Sequence, residues 1–458
     1  MTPDTSTDLS SEPVAVSRPA PAPTSPSAPA PTSASASAAE PARTPAPTLD
    51  RASAPAPALP PAGTPTAVGE SARPSTGRLV GIDLARGLAV FGMYAAHVGP
   101  DPAHGGPLGF VMELARGRSS ALFALLAGFT LVLITGRPHP RTGRAGRQAV
   151  VRTVIRSVVL IALGFALTAL DTDVDVILAF YGLIFLAVLP FHRLRARTLA
   201  ALAVAGALVM PQLLYVTRLS IEEGDWADAI VASDPLARIT DTDGLMELLF
   251  TGEYPVLTWM SFMLAGMAVA RLDLTLGTVR TRLACAGGLS ALLGYGGSWL
   301  ALRLVPHARA TVAAATDGDS AASAWWSDTV GYIVDDTPAA WLLVGAPHSQ
   351  TTFSILGNAG VALLVVVLCV TAVDRLPRCA RLARPVCAVG MTALTAYVLH
   401  ILAVREFGME EETGPALVDL LAHTLAALLL ATAWTHRFRR GPLEHLLHLA
   451  TLPARHVK

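Results

Sequence analysis

This sequence predicts an all-α fold, a polytopic membrane helix bundle with about ten transmembrane helices behind a disordered N-terminal tail, on three observations. The 458 residues are 52% hydrophobic and 15% charged, where a soluble domain carries about 25% charged residues. Ten segments stay apolar over the roughly 20 residues that a spanning helix needs. They fall at 79–98, 118–136, 150–170, 174–191, 198–218, 249–270, 283–304, 353–373, 386–405 and 415–435. Arginines collect in every second connection between them.

The chain opens with 76 residues that are almost all Pro, Ala, Ser and Thr, as in PAPAPTSPSAPAPTSASASA. Such a segment buries too little surface to offset the entropy of ordering, so a disordered tail is expected. It lacks the apolar core of a signal peptide, and no cleavage is expected. The ten segments that follow are read as helices, because a barrel strand alternates over about ten residues and does not stay apolar for twenty. Small residues recur in them, as in LLAGF at 125–129 and FMLAGMAVA at 262–270. They allow close helix approach in lipid.

The connections then set the orientation. Arg73 and Arg78 precede the first span, and Arg137, Arg141, Arg144, Arg147 and Arg152 follow the second. HRLRAR follows the fourth, Arg271, Arg280 and Arg282 follow the sixth, DRLPRCARLAR follows the eighth and HRFRR follows the tenth. The opposite connections are acidic: DTDVD at 171–175, the long loops 219–248 and 305–352, and REFGMEEETG at 405–414. Positive charge stays inside, which puts both termini in the cytoplasm. Within the last long loop, TPAAWLLVGAP at 337–347 is too short to span and is read as re-entrant or interfacial. Cys285, Cys369, Cys379 and Cys387 form no CxxC pair, and all four are read as small buried hydrophobes.

The first span carries the most information. Asp83, Arg86, Val90, Tyr94 and His97 follow one another at steps of three, four, four and three, which places all five on one helix face. Asp83 and His97 are then about 21 Å apart along the axis. A charge in hydrocarbon costs several kcal/mol unless paired or solvated, so this face is expected to be functional. Asp83 and Arg86 suit either a structural ion pair or recognition of a phosphate-bearing cofactor at the cytoplasmic mouth. No Walker or GxGxxG motif accompanies them.

The outer side collects three histidines: His97, His104 in HVGPDPAHGGPLG, and His348 in GAPHSQTTF. An imidazole titrates near neutral pH and can act as general acid or base. Arg116 and Arg118 enter the second span on the same side, against the charge trend. They can hold an anionic group or an acidic partner such as Glu113, and Gly117 between them allows a close turn. The histidine spacing fits no HExxH-type pattern, and no metal is expected.

Residues 78–98, RLVGIDLARGLAVFGMYAAHV, and 113–133, ELARGRSSALFALLAGFTLVL, resemble the YeiB-like family of bacterial membrane proteins with a DUF418 region. WTHRFRRGPLEHLL at 434–447 resembles that family's closing signature, a tryptophan followed by F-x-x-G-P-L-E-W, with His445 in place of the second aromatic. GAPHSQTTFSILGNAG at 345–360 is similar to an internal stretch of actinobacterial members. The D-x-x-R-G start, met here by Asp83, Arg86 and Gly87, is shared with membrane acyltransferases such as heparan-α-glucosaminide N-acetyltransferase.

That resemblance implies transfer of acetyl from cytoplasmic acetyl-CoA to an amino sugar, using a histidine of the first extracytoplasmic loop. The matching loop here is 99–117, where His104 is the only histidine, and His97 stands where that relative has an asparagine. The donor, acetyl-CoA or another acyl-CoA, would meet Asp83, Arg86 and Gly87. The acceptor, a cell-envelope amino sugar, glycan or lipid, would meet His104, His97 and His348 beside Arg116, Arg118 and Glu113. The expected layout is a cytoplasmic tail at 1–76, a membrane domain at 77–450 and a short cytoplasmic tail at 451–458, in a bacterial cell membrane. Membrane lipids are expected partners and nucleic acid is not, and homo-oligomerisation stays open. A small-molecule transporter and a non-catalytic envelope protein are the alternatives.

Overall fold

The computed structural model describes residues 80–172, 174–240, 242–316, 321–327, 330, 337–407 and 415–458, so the expected disordered tail lies outside the described residues. Among the described residues every regular element is helical. The first half runs α1 Val80–Val98, α2 Gly106–Ala115, α3 Arg118–Thr135, α4 Gly143–Thr168, α5 Ile177–Val188, α6 Ala196–Glu223, α7 Trp226–Ser233, α8 Pro235–Thr240 and α9 Val256–Ala270. The second runs α10 Gly277–Ala291, α11 Gly297–Leu304, α12 Ala308–Ala315, α13 Thr352–Arg375, α14 Pro377–Leu382, α15 Arg384–Met391, α16 Ala393–Phe407, α17 Ala416–Arg437 and α18 Pro442–Ala450.

A helix lies on each of the ten apolar segments, but the segments differ in form. Five helices are long and apolar enough to cross a membrane, or six when the bent pair α15–α16 counts as one span. The helices of the fourth and sixth segments, Ile177–Arg193 and Val256–Ala270, are shorter. The seventh is α10 and α11 joined by a π-helical turn at Leu292–Gly296.

Between α1 and α3 a 3₁₀ turn at Pro102–His104 leads into α2, and Gly117, at φ +61°, turns α2 into α3. Two local readings need correction. The ninth segment is not one straight helix, because the chain bends by 83° between α15 and α16. Only Cys369 and Cys387 are buried, while Cys285 and Cys379 are exposed on outward helix faces.

The core forms where small residues recur. Gly128 of α3 lies against the Met263 carbonyl of α9, and Gly266 of α9 lies against the Leu125 carbonyl of α3, so the two backbones nearly touch. Helix α1 packs on α3, α13, α15 and α17. At the rim, Leu417, Leu421, Leu425 and Leu429 form an exposed stripe along α17 at helical spacing. An exposed leucine stripe of this length suits lipid contact.

The bend at Thr392 frees backbone amides that a continuous helix would use. Glu444 takes them: its carboxylate accepts from Leu394 N at 2.8 Å, Thr395 N at 3.3 Å and Thr395 Oγ1 at 2.6 Å. At Gly441 a Cβ would fall against the Glu444 carboxylate and the Thr395 hydroxyl, so a side chain there would disturb this contact. Trp434 Nε1 donates to the Arg440 carbonyl at 2.7 Å, which fixes the turn before α18. The closing W…GPLE stretch is thus a clamp on a broken helix.

Candidate active site

At the N-terminal end of α1, Arg86 Nη1 lies 3.4 Å from Asp83 Oδ1, with side-chain exposures of 20% and 12%. The same guanidinium donates to the Gly390 carbonyl at 3.3 Å and to Thr130 Oγ1 at 2.9 Å. It therefore ties α1 to α15 and α3. Gly87 faces the Val386 carbonyl, and Gly390 faces the Asp83 carbonyl. Both glycines are explained by the close approach of α1 and α15.

At the C-terminal end of α1, His97 lies within electrostatic range of His348. His348 Nδ1 is in contact with Glu253 Oε1, a pair that carries opposite charges only when the imidazole is protonated. The imidazole sits in an aromatic box, 5.4 Å from the Tyr254 ring and 5.9 Å from the Trp259 ring. Its opposite edge faces Gly117, where a Cβ would fall 2.7 Å from Cδ2 and 2.9 Å from Nε2. A strained turn holds it there, because His348 and Gln350 adopt φ of +62° and +58°, a region that non-glycine residues visit only when their surroundings enforce it. Here Gln350 Nε2 donates to the Glu253 carbonyl at 2.8 Å, while Gln350 Oε1 accepts from Thr258 Oγ1 at 2.9 Å and Trp259 Nε1 at 3.1 Å.

His97 opens a second imidazole system. Its Nδ1 lies 3.1 Å from His400 Nε2, and the rings stack at 5.3 Å. His400 stacks on Tyr94 at 4.3 Å and meets His423 edge-on at 5.1 Å. His400 is 2% exposed, and its Nδ1 has no hydrogen-bond partner among the described residues. The hydrogen between His97 Nδ1 and His400 Nε2 can sit on either ring, depending on the tautomer. Among the described residues no group of three or more His, Cys, Asp or Glu is arranged to hold a metal ion.

The remaining candidates separate. His104 is exposed, and its Nδ1 lies 3.1 Å from the Asp101 carbonyl, so the structure does not bring it to His97 or His348. Arg118 is buried and engaged, donating to the Glu113 carbonyl at 2.8 Å, to Tyr295 Oη at 3.0 Å and to the Trp326 carbonyl. Tyr295, placed by the π-helical turn, passes the network to Asn358 Oδ1 at 2.7 Å. Glu113 is buried at 3% exposure and meets Arg118 through its backbone. Arg116 is half-buried at the end of α2, beside the Gly117 turn.

Sequence reasoning singled out His97 and His348 but not Glu253, His400 or His423. The available signal was the one used for the first span, an ionisable side chain inside an apolar segment.

Comparison with protein families gives two matches. Residues 78–292 match "Heparan-alpha-glucosaminide N-acetyltransferase, catalytic", and residues 321–453 match "Protein of unknown function (DUF418)". Searches of curated proteins and of solved structures return no match. The first match contains α1, Gly117 and Glu253, and the second contains His348, His400 and the closing clamp. The chain therefore belongs to the YeiB-like DUF418 family of membrane proteins, which is related to heparan-α-glucosaminide N-acetyltransferase.

Proposed function

We propose that this protein is a membrane acyltransferase that moves an acyl group, acetyl first among the candidates, from cytoplasmic acyl-CoA to an extracytoplasmic amino sugar, glycan or lipid. The observation that carries this reading is the Glu253–His348 pair facing Gly117, within electrostatic range of His97, assembled from both family-matched regions. Ten crossings, cytoplasmic termini and a bacterial cell membrane belong to the same reading. The alternation of arginine-rich connections supports them.

In this reading His348 is the general base and Glu253 orients it and stabilises the imidazolium. An acceptor O–H or N–H attacks the thioester carbonyl carbon and gives its proton to His348 Nε2. The C–S bond then breaks, and the leaving thiolate recovers that proton as free CoA thiol. Arg116 stabilises the oxyanion or an anionic acceptor. His97, set by His400, is the second base in line, and His104 is a contact at the rim. The thioester would reach this end while the rest of the donor extends inward past Asp83 and Arg86, with Gly87 serving helix packing.

The test uses detergent-purified protein with radiolabelled acetyl-CoA and glucosamine. His348→Ala should lower transfer by about 10²–10⁴-fold, while His104→Ala should stay within a few fold. Glu253→Gln should shift the pH profile of transfer, as a positioning residue would. Wild-type transfer by a folded His348→Ala protein would reject the assignment. Transport is the second reading, and the bend between α15 and α16 favours it, since broken helices line many transporter sites.

A further inference from the structure

A second polar concentration lies at the Asp83–Arg86 end of the bundle, where the Arg86 charge acts on Arg156. A cavity of about 260 Å³ opens there, lined by Arg141, Arg152, Arg156, Arg455, His448 and Thr451. Three separate parts of the chain build it. Arg141 follows α3 on a turn closed by its own N–H to the Thr135 carbonyl at 2.8 Å. Arg152 and Arg156 are four residues apart on one face of α4. Arg455 comes from the C-terminal 3₁₀ turn Leu452–His456, which α4 holds through Gln148 Nε2 to the Arg455 carbonyl at 3.0 Å and Arg147 Nε to the Lys458 carbonyl at 2.7 Å.

The charge in this cavity is one-sided. No carboxylate lines it, and among the described residues none of the four arginines makes an ion pair. Glu444 acts on Arg156 at longer range, but its oxygens are committed to the bend at Thr392. Guanidinium groups stay charged, so their mutual repulsion cannot be relieved by losing a proton. Burial first, and then the charges of Arg440, Arg455 and Arg152, hold the His448 imidazole below its usual range. The lining arginines set a positive potential in a pocket whose volume of about 260 Å³ is several times the ~30 Å³ of one water.

We propose that this cavity is a cytoplasmic binding site for a phosphate-bearing polyanion. Planar guanidinium forks match phosphate oxygens two at a time, and four of them around one cavity suit two phosphate groups better than a single carboxylate. The Thr451 hydroxyl adds a hydrogen-bonding group to the wall. The same chemistry is offered by a soluble pyrophosphate-type ligand and by the headgroup of an anionic phospholipid. Binding here is read without any acyl transfer, so its failure and that of the proposed reaction are distinguishable.

Full-length protein in neutral-lipid nanodiscs is titrated with sodium pyrophosphate by calorimetry. In parallel, it is tested for enrichment of cardiolipin from mixed nanodiscs by mass spectrometry. Arg152→Gln/Arg156→Gln should weaken the binding of one probe at least tenfold, and Arg195→Gln/Arg197→Gln, on another cytoplasmic connection, should not. Where the first double variant fails to fold, Arg455→Ala on the exposed terminal turn should weaken the same probe at least threefold. Loss confined to pyrophosphate assigns a soluble ligand, and loss confined to cardiolipin assigns a lipid headgroup. Equal binding of both probes by wild type and variants, or no binding of either by wild type, would overturn the proposal.

Discussion

Asp83 and Arg86 show how one residue pair serves several contacts. At 3.4 Å the pair is close, yet Arg86 also holds Thr130 and the Gly390 carbonyl. Removing Asp83 alone leaves a half-buried guanidinium short of a partner, and removing both leaves an apolar gap. A double-mutant cycle of Asp83→Ala and Arg86→Met on detergent stability should therefore give a coupling of about 0.5–3 kcal/mol. Strict additivity would show that the pair does not interact. At the outer end, Gly117→Ala should displace His348, because a Cβ has no room beside Nε2 and the φ of +61° disfavours it. Transfer should fall at least tenfold with little change in donor affinity, and unchanged transfer would count against the Gly117–His348 contact.

At this scale the sequence was legible where a spacing is local. The face Asp83–Arg86–Val90–Tyr94–His97 could be counted from its spacing. The His97–His400 contact joins residues 303 positions apart, and no local period encodes it. Glu253 had no visible partner in sequence for the same reason, since His348 lies about a hundred residues further on.

The helices themselves are the most legible elements, because their length is set by the bilayer and their apolarity by lipid. Their joints are not. The glycines of LLAGF and FMLAGMAVA signalled close packing without a partner, and the structure pairs them through Gly128 and Gly266. Gly266→Ala should destabilise the bundle by about 1–3 kcal/mol, as forced overpacking does. Gly288→Ala, with nothing near its Cβ, should stay within about 0.5 kcal/mol. Equal melting temperatures for the two variants would refute the α3–α9 contact. The bend between α15 and α16 was hidden because residues 386–405 are apolar throughout. Its explanation lies in Glu444, about 50 residues away. Glu444→Ala should cost about 0.5–2 kcal/mol, the range for a lost helix cap, and no loss of stability would show that the clamp is dispensable.

For the whole molecule, the two family matches meet across one bundle. The region like the N-acetyltransferase supplies α1 and Glu253, while the DUF418 region supplies His348, His400 and the clamp. If arginines mark the cytoplasmic side, a cysteine at position 144 should be labelled only from inside and one at 230 only from outside. Outside labelling at 144 would invert the topology. The central claim is transfer across the membrane by the outer histidine site. It is tested most directly in sealed vesicles reconstituted with the protein, with glucosamine enclosed and radiolabelled acetyl-CoA added to the medium. The account expects labelled N-acetylglucosamine inside the vesicles with wild-type protein, and a loss of about 10²-fold or more with His348→Ala. Intact acetyl-CoA accumulating inside, or equal product from His348→Ala, would contradict it.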